Sequence, residues 1–309
     1  MKIAFFGTSE RSLPILNSLK SNFDLDLCIT KKDQMVGRKQ ELKECAVKTW
    51  SKNNNIDFVE VNNLRETDLD KVLSAIKKKK IEYGIVCDFS VIIPEEIIQL
   101  FGKNLINIHF SLLPKYRGAC PVQFAVLNGD KHTGITFHVV DAKLDHGEII
   151  HQIVYTIDQT ETSGELYETL FKISAKKIPE VIRNHSEGTI TPLLQEENEA
   201  TYTYSPNHPT STFIYKEDAE INWREKPEFI ERKIRAFNPW PIAWTTLREI
   251  ESAKNLSIGK IKLKPHINRN LKVKIFKGEL VEEKLRILEL QVEGKNRMAW
   301  KAFESGYLA

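Results

Sequence analysis

Short apolar runs alternate with helix-patterned segments through the first half of the chain, and no other feature restricts its fold as much. The runs KIAFF, LDLCIT, IDFVEV, YGIVC and LINIHF are separated by segments such as SLPILNSLK and DLDKVLSAIKKKK. Strands that alternate with helices at this spacing form parallel βαβ units. The sequence therefore predicts an α/β fold with an N-terminal Rossmann-like, mostly parallel sheet and flanking helices. A ligand is expected at the C-terminal ends of its strands.

A second, smaller domain is predicted after a polar connecting segment. The length of 309 residues fits two domains, since one domain usually takes about 150 residues. Residues 191–208 are polar and contain Pro192 and Pro206, which is typical of a linker. Beyond them, runs such as LKVKIFKG and LRILELQVEG indicate short strands and a small OB-like barrel. We predict a catalytic domain over 1–190, a linker over 191–208 and a β-rich domain over 209–309.

Several classes of protein are disfavoured by the apolar, glycine and cysteine patterns. The longest apolar runs, such as Ile3–Phe6, are far shorter than the roughly 20 residues of a membrane span, and the N-terminus lacks a secretory signal pattern. Gly7 is not followed by the other glycines of a dinucleotide fingerprint, and no G-K-[ST] occurs, which argues against nicotinamide dinucleotide or ATP binding. The cysteines lie far apart without a C-x-x-C pair, at Cys28, Cys45, Cys87 and Cys120. We therefore expect a cytoplasmic protein without a disulfide framework.

Positive charge is concentrated in the C-terminal third. Residues 209–309 contain 20 Lys/Arg and 14 Asp/Glu, and residues 254–277 contain eight basic residues and no acidic one. This basic stripe includes Lys260, Lys262, Lys264, Arg269, Lys272 and Lys274. Such a stripe indicates a phosphate-bearing partner. The alternative is a solvated face of lysine-bearing strands.

The most informative stretch for chemistry is NIHFSLLPKYRGA, residues 107–119. Residues i and i+2 of a strand share a face, so Asn107 and His109 are expected to project side by side. This places an amide donor beside a titratable imidazole. Pro114 and Gly118 then indicate a loop whose backbone groups border a ligand. The alternative is that His109 is only a hydrogen-bonded histidine at a strand end.

A polar loop between two predicted strands carries the carboxylates Asp141 and Asp145. Either is able to orient His109 or to accept a proton, although aspartate is also common in turns. Four histidines fall in the same region, at His132, His138, His146 and His151. Their spacing matches no H-E-x-x-H pattern. We expect no metal.

Longer stretches of the chain resemble the methionyl-tRNA formyltransferase family. NIHFSLLPKYRGACPVQFAVLNGD and TGITFHVVDAKLDHGEIIHQ are similar to its formyl-transfer core, and INWREKPEFIERKIRAFNPWPIAWTTL is similar to the start of its C-terminal domain. The resemblance implies transfer of a formyl group from 10-formyltetrahydrofolate to the amino group of initiator methionyl-tRNA. It assigns catalysis to Asn107, His109 and Asp145, with no metal and no membrane, and we expect a monomer.

The resemblance also implies where the two substrates bind. Folate is expected against Ser111, Leu112, Leu113 and Pro114 and the segment that carries Val86, Phe89 and Ile92. The tRNA is expected at Arg38 and Lys39, in the loop 31–48, and along the basic stripe. Three segments differ from the family pattern. In the tRNA loop, the residues DQMVGRKQEL at 33–42 and Glu44-Cys45-Ala46 replace the usual D-R-P-A-G-R-G-K-K-L and P-S-P. Ser9 and Arg11 stand where a proline and an aromatic residue are usual, and Asp88-Phe89-Ser90 stands where A-Y-G is usual.

Two other functions remain open at this point. An amino-sugar N-formyltransferase uses the same trio and folate donor with a different acceptor. A non-catalytic RNA-binding protein on a formyltransferase scaffold is the other alternative, and the presence of Asn107, His109 and Asp145 argues against it.

Overall fold

The computed structural model describes residues 1–36, 41–257 and 261–309. The chain divides into two compact units. The first unit comprises residues 1–117, 134–155 and 167–201, and the second comprises 118–133, 156–166 and 202–309. The domain boundaries expected from the sequence, at residues 190 and 209, remain a prediction. Among the described residues, no helix has the length and apolar character needed to cross a bilayer.

Nine strands are formed by the described residues of the N-terminal two thirds. They are β1 (Lys2–Phe6), β2 (Asp24–Lys31), β3 (Gln34–Val36), β4 (Glu41–Lys43), β5 (Asp57–Val61), β6 (Tyr83–Val86), β7 (Leu105–His109), β8 (His132–Val139) and β9 (Ile149–Thr156). Seven of them form one sheet in the order β5-β2-β1-β6-β7-β8-β9, and β3 pairs with β4 in a separate hairpin. The pairs from β5 to β7 are parallel, whereas β7 and β8 are antiparallel. The predicted mostly parallel sheet is confirmed.

Helices connect these strands as the sequence predicts. They are α1 (Leu13–Asn22), α2 (Ala46–Asn53), α3 (Glu66–Lys79), α4 (Glu95–Phe101), α5 (Pro121–Asn128) and α6 (Ser163–Ser186). In α3, Glu66 and Asp68 lie in the first turn and three lysines lie in the last, so charges of both signs complement the helix dipole. Val72 and Ile76 of α3 are buried together with Ala4 and Ile29 of the sheet.

The order of the sheet determines where a ligand is expected. The chain leaves β1 towards β2 and β5 on one side, and then returns to β6 on the other side of β1. In open α/β sheets, ligands bind at the carboxyl ends of the strands around such a reversal. β7 is the next strand after β6, so its C-terminal residues lie at this edge.

The second unit contains a four-stranded antiparallel sheet, in the order β10-β11-β12-β13. Its elements after residue 202 are α7 (Pro227–Ala236), β10 (Trp244–Thr246), α8 (Leu247–Ser252), β11 (Lys272–Val281), β12 (Lys284–Val292), β13 (Met298–Ala299) and α9 (Trp300–Tyr307). Val273 and Ile275 of β11 join Ile230 and Ile234 of α7 in one core. Isolated bridges, Leu256 to Leu285 and Leu263 to Leu308, extend the pairing. The predicted smaller β-rich fold is confirmed.

Candidate active site

Asn107 and His109 lie at the C-terminal end of β7. They are two residues apart in a strand, so their side chains share a face. β8 runs antiparallel beside β7, with His138 directly opposite Asn107. Directly opposed residues of neighbouring strands also project to one face. The sheet register therefore adds His138 to the pair predicted from the sequence.

Asp145 reaches this group from the loop between β8 and β9. Its Oδ2 atom lies 3.6 Å from Nδ1 of His109. Its Oδ1 atom lies 3.6 Å from Nε2 of His138 and accepts a hydrogen bond of 3.3 Å from Nδ2 of Asn107. Asp145 thus contacts both Asn107 and His109, the other two residues that the resemblance assigns to catalysis. We call these three residues, with His138, the polar cluster.

The hydrogen bonds of the two imidazoles indicate how each ring is protonated. Nε2 of His109 donates to the backbone oxygen of Tyr116 at 2.9 Å, so Nδ1 is the atom that faces Asp145. Nδ1 of His138 donates to the backbone oxygen of Val139 at 2.9 Å. Nε2 of His138 lies 3.0 Å from Nδ2 of Asn107 and accepts a hydrogen bond from it.

Burial controls the charge of His109, whose residue surface is only 5% exposed. Loss of hydration lowers the pKa of His109 from its ordinary value, and the carboxylate of Asp145 acts in the opposite direction. A neutral imidazole at neutral pH is able to accept a proton, and Asp145 then stabilises the imidazolium. The polar cluster is therefore suited to proton transfer.

The structure distinguishes the two candidate carboxylates of the loop. Asp141 pairs with His146 at 2.7 Å and caps the backbone nitrogen of Lys143, whereas Asp145 faces His109. Of the other histidines in this region, His132 contacts Thr156 and His151 lies beside the ring of Phe137. Over the described ranges, no group of three or more His, Cys, Asp or Glu side chains is arranged to hold a metal ion.

The loop after β7 carries the predicted folate-binding residues 111–114, and it is internally braced. The hydroxyl of Thr136 donates to the backbone oxygen of Ser111 and accepts from the backbone nitrogen of Leu113. The amide of Gln152 donates to the backbone oxygen of Leu113 at 2.9 Å. Leu113 is buried, and Leu112 and Pro114 are partly exposed. These hydrogen bonds therefore hold the backbone of the loop in one conformation, next to the end of β7 that carries the polar cluster.

The other predicted folate-binding residues follow β6. Val86 is buried at the end of that strand, and Phe89 is partly buried with its ring edge-on to Phe6 at 5.8 Å. Ile92 is 85% exposed. An apolar side chain left open at the ligand-binding edge of the sheet is a suitable surface for an aromatic ring system.

Two of the departures from the family pattern contact each other. Arg11, from the turn after β1, lies 3.3 Å from the carboxylate of Asp88, which follows β6. The guanidinium of Arg11 also lies 4.3 Å from the centre of the Tyr167 ring. A cation over an aromatic face and beside a carboxylate is a stable arrangement. Arg11 and Asp88 therefore form an ion pair with each other, and the two changes from the family pattern are structurally linked.

The residues predicted to bind tRNA differ in their exposure and in their contacts within the protein. Arg38, Lys39 and Lys260 lie outside the described residues. Lys262, Lys272 and Lys274 are exposed, the last two on the outer face of β11. Lys264 and Arg269 are engaged within the second unit. Nζ of Lys264 donates to the backbone oxygens of Ser305 and Gly306, and Arg269 pairs with Glu251 at 2.8 Å.

Three groups around the polar cluster are not predicted by the sequence: His138, the backbone oxygen of Tyr116 and Gln195. The sequence shows His138 only as one of four neighbouring histidines, and nothing in it points to the backbone oxygen of Tyr116. Gln195 lies in the segment predicted to be a linker, yet it contacts the backbone of Asp145 at 2.9 Å. The alternation within GITFHVV signals that His138 shares a face with Thr136, but only the register of β7 and β8 places it opposite Asn107.

Comparison with known proteins identifies the class. The formyl transferase family model matches residues 1–182, and the model of the formyl transferase C-terminal domain matches residues 213–308. The solved structure of an N-formyltransferase from Helicobacter canadensis is similar to this chain, with a TM-score of 0.60 and 22% sequence identity. The match covers 97% of this chain and 98% of that one, whose structure is a complex with folinic acid and dTDP-3-aminofucose. The chain therefore belongs to the formyl transferase class.

Sequence relatives narrow the class. The methionyl-tRNA formyltransferase of Carboxydothermus hydrogenoformans is 34% identical over 314 residues, which cover 99% of this chain and 97% of the relative. The solved methionyl-tRNA formyltransferase from Clostridium thermocellum has a TM-score of 0.59 at 19% identity, over 94% of this chain and 98% of that one. The chain belongs to the methionyl-tRNA formyltransferase family.

Proposed function

We propose that this enzyme transfers the formyl group of 10-formyltetrahydrofolate to the α-amino group of initiator methionyl-tRNA. The observation that carries the proposal is the polar cluster at the end of β7, in a chain that aligns over almost its whole length with a methionyl-tRNA formyltransferase. The test is transfer of a labelled formyl group from this donor to methionyl-tRNA, and we expect the label to become bound to tRNA.

Asp145 and His109 move the proton in the proposed mechanism. The amino group must be unprotonated to attack, and an α-amino group has a pKa near 8. Its nitrogen forms a bond to the formyl carbon, and the carbonyl electron pair moves onto the formyl oxygen. The carboxylate of Asp145 accepts the amine proton and passes it to Nδ1 of His109, 3.6 Å away, and the imidazolium carries the proton until the next step. When the bond from the formyl carbon to the folate nitrogen breaks, this proton passes to that nitrogen and gives tetrahydrofolate.

Asn107 stabilises the oxyanion that forms during attack. Its two amide hydrogens have His138 and Asp145 as acceptors, at 3.0 Å and 3.3 Å. The bond to Asp145 is the longer one, and it is exchanged for a bond to the formyl oxygen. A donor fixed in place before the charge develops lowers the barrier by about 3 to 4 kcal/mol. His138 keeps the other hydrogen and so holds the amide in orientation.

The donor and acceptor bind to different parts of the chain. We assign folate to the fixed loop Ser111–Pro114 and to Val86, Phe89 and Ile92. The structural relative from Helicobacter canadensis binds folinic acid, which is a formyl derivative of tetrahydrofolate. We assign tRNA to Arg38, Lys39 and the basic stripe, with residues 1–190 as the catalytic domain and 209–309 as the tRNA-binding domain. We also propose that the enzyme is cytoplasmic and acts as a monomer.

The amino-sugar alternative is less well supported. The sequence relative that aligns over 99% of the chain is a methionyl-tRNA formyltransferase. The sugar-bound relative is 22% identical, and likeness at that level concerns the fold alone. Transfer of formyl to an amino sugar instead of tRNA would favour this alternative.

The protonation of His109 gives a direct test of the mechanism. Because burial lowers the pKa of His109, we expect its imidazole to titrate below about 6.5, the ordinary value. Replacing Asp145 by Asn removes the neighbouring negative charge that favours the imidazolium, so the pKa falls further. The measurement is NMR titration of histidine ring signals, with His109→Gln used to assign the signal. A pKa that rises in Asp145→Asn would contradict the proposed pairing.

A further inference from the structure

Arg117 is a buried charge that the proposed mechanism does not use. Its residue surface is 0% exposed, and a buried guanidinium requires hydrogen-bonded partners. Its Nη1 atom lies 3.0 Å from both carboxylate oxygens of Glu197. Its Nε and Nη2 atoms donate to Oε1 of Gln195 at 3.1 Å and 3.0 Å. Arg117 therefore fixes the carbonyl end of the Gln195 side chain.

The opposite end of Gln195 holds the loop that carries Asp145. Nε2 of Gln195 donates to the backbone oxygens of Asp145 and Gly147, each at 2.9 Å. Arg117 has only donors, and the backbone oxygens are only acceptors. The amide therefore satisfies its neighbours in one orientation alone. A single side chain thus connects a buried cation to two carbonyl groups around the catalytic carboxylate.

The loop needs such support because its backbone is unusual at Asp145. Asp145 has φ of 47°, in the left-handed region that side chains other than glycine rarely adopt. A Cβ at position 147 would clash with the backbone oxygen of Val139, so glycine is required there. Residues in strained conformations persist where surrounding contacts hold them. The bonds from Gln195 to residues 145 and 147 are such contacts.

We propose that Gln195, anchored by Arg117, is a positioning residue that holds Asp145 against His109. This inference rests on the proposed function for its kinetic consequence and on geometry alone for its structural one. The groups that face His109 are Asp145, His138 and the backbone oxygen of Tyr116. Gln195 donates to the backbone oxygens of Asp145 and Gly147, so it acts through the backbone of the loop.

The first arm of the test measures the loop without reference to any substrate. Gln195→Met keeps the length of the side chain and removes both donors. We expect amide hydrogen exchange in residues 141–148 to become about 10-fold faster. The thermal midpoint should also fall below that of the control, because the buried Arg117 loses its acceptor on Gln195. The control is Gln159→Met, since Gln159 also donates to two backbone oxygens, those of Asp130 and Ile157. Unchanged exchange in residues 141–148 would overturn the inference.

The second arm is a double-mutant cycle with Asp145→Asn. Gln195→Met is expected to lower kcat by about 10-fold to 100-fold with little change in either KM. In the Asp145→Asn background it should have almost no further effect, because both changes disable the same carboxylate. Gln195→Glu keeps the partner of Arg117 but lacks the donors, and it should behave like Gln195→Met.

The two arms separate the inference from the proposed function. If the two single effects multiply in the double variant, Gln195 acts independently of Asp145 and the inference is wrong. If the unaltered enzyme transfers no formyl group, the proposed function fails. In that case the exchange measurement still decides whether Gln195 holds the loop.

Discussion

Replacing His109 by alanine is expected to lower kcat for formyl transfer by about 100-fold or more, with little change in tRNA affinity. The imidazole carries the proton in the proposed mechanism, and such groups typically contribute about 100-fold to 10,000-fold. His109 is buried beside Asp145 and Tyr116 and is remote in sequence from the basic stripe. The measurement is single-turnover transfer at saturating concentrations of both substrates, together with tRNA binding by filter retention.

A second variant guards against a simple packing defect. His109→Gln fills most of the space and retains a donor for the backbone oxygen of Tyr116, but it cannot carry a proton. It should be nearly as slow as the alanine variant. The matched control is His132→Ala, because His132 is an exposed histidine of β8 that contacts Thr156. Full activity in His109→Gln would show that proton transfer does not depend on this ring.

Reversing the charges of Lys272 and Lys274 together should weaken tRNA binding by about 10-fold or more at low salt. Both side chains are exposed on one face of β11, opposite the buried Val273 and Ile275. Each lysine that neutralises a phosphate contributes about one unit to the slope of log affinity against log salt. The double variant K272E/K274E should therefore reduce that slope by about two units. The measurement is tRNA affinity over a series of salt concentrations.

The control has the same change of charge in the same unit. Lys284 of β12 and Lys301 of α9 are also exposed, and K284E/K301E should leave the salt slope almost unchanged. Equal slopes for the two double variants would mean that the stripe is only a solvated face. Point changes are preferable to removal of residues 209–309, because the second unit also contains residues 118–133 and 156–166.

Local patterns in the sequence were sufficient for the sheet and for part of the site. Alternation along LINIHF places Asn107 and His109 on one face, and the structure has them there on β7. The choice between Asp141 and Asp145 could not be made from composition, because both are ordinary turn residues. It depends on the left-handed backbone of Asp145 and on the pairing of Asp141 with His146. Both are details of the conformation of one loop, which residue spacing does not encode.

Charge counting has a similar limit. Lys264 and Arg269 belong to the basic stripe in sequence, but their charged groups contact Ser305, Gly306 and Glu251 in the fold. Lys272 and Lys274 remain exposed. The polar, proline-containing segment predicted to be a linker includes Gln195. Its composition gives no sign of the contacts that Gln195 makes with residues about 50 to 80 positions away in the sequence. Only the folded chain shows which charged groups contact other residues of the protein and which are exposed.

The central claim is tested most directly by competition among acceptors for a labelled formyl group. The donor is 10-formyltetrahydrofolate, and the acceptors are initiator methionyl-tRNA, elongator methionyl-tRNA and a panel of nucleotide-linked amino sugars, present together. We expect the label on the methionyl group of the initiator tRNA, at a rate that falls in His109→Ala. Label on an amino sugar alone, or on no acceptor, would contradict the account.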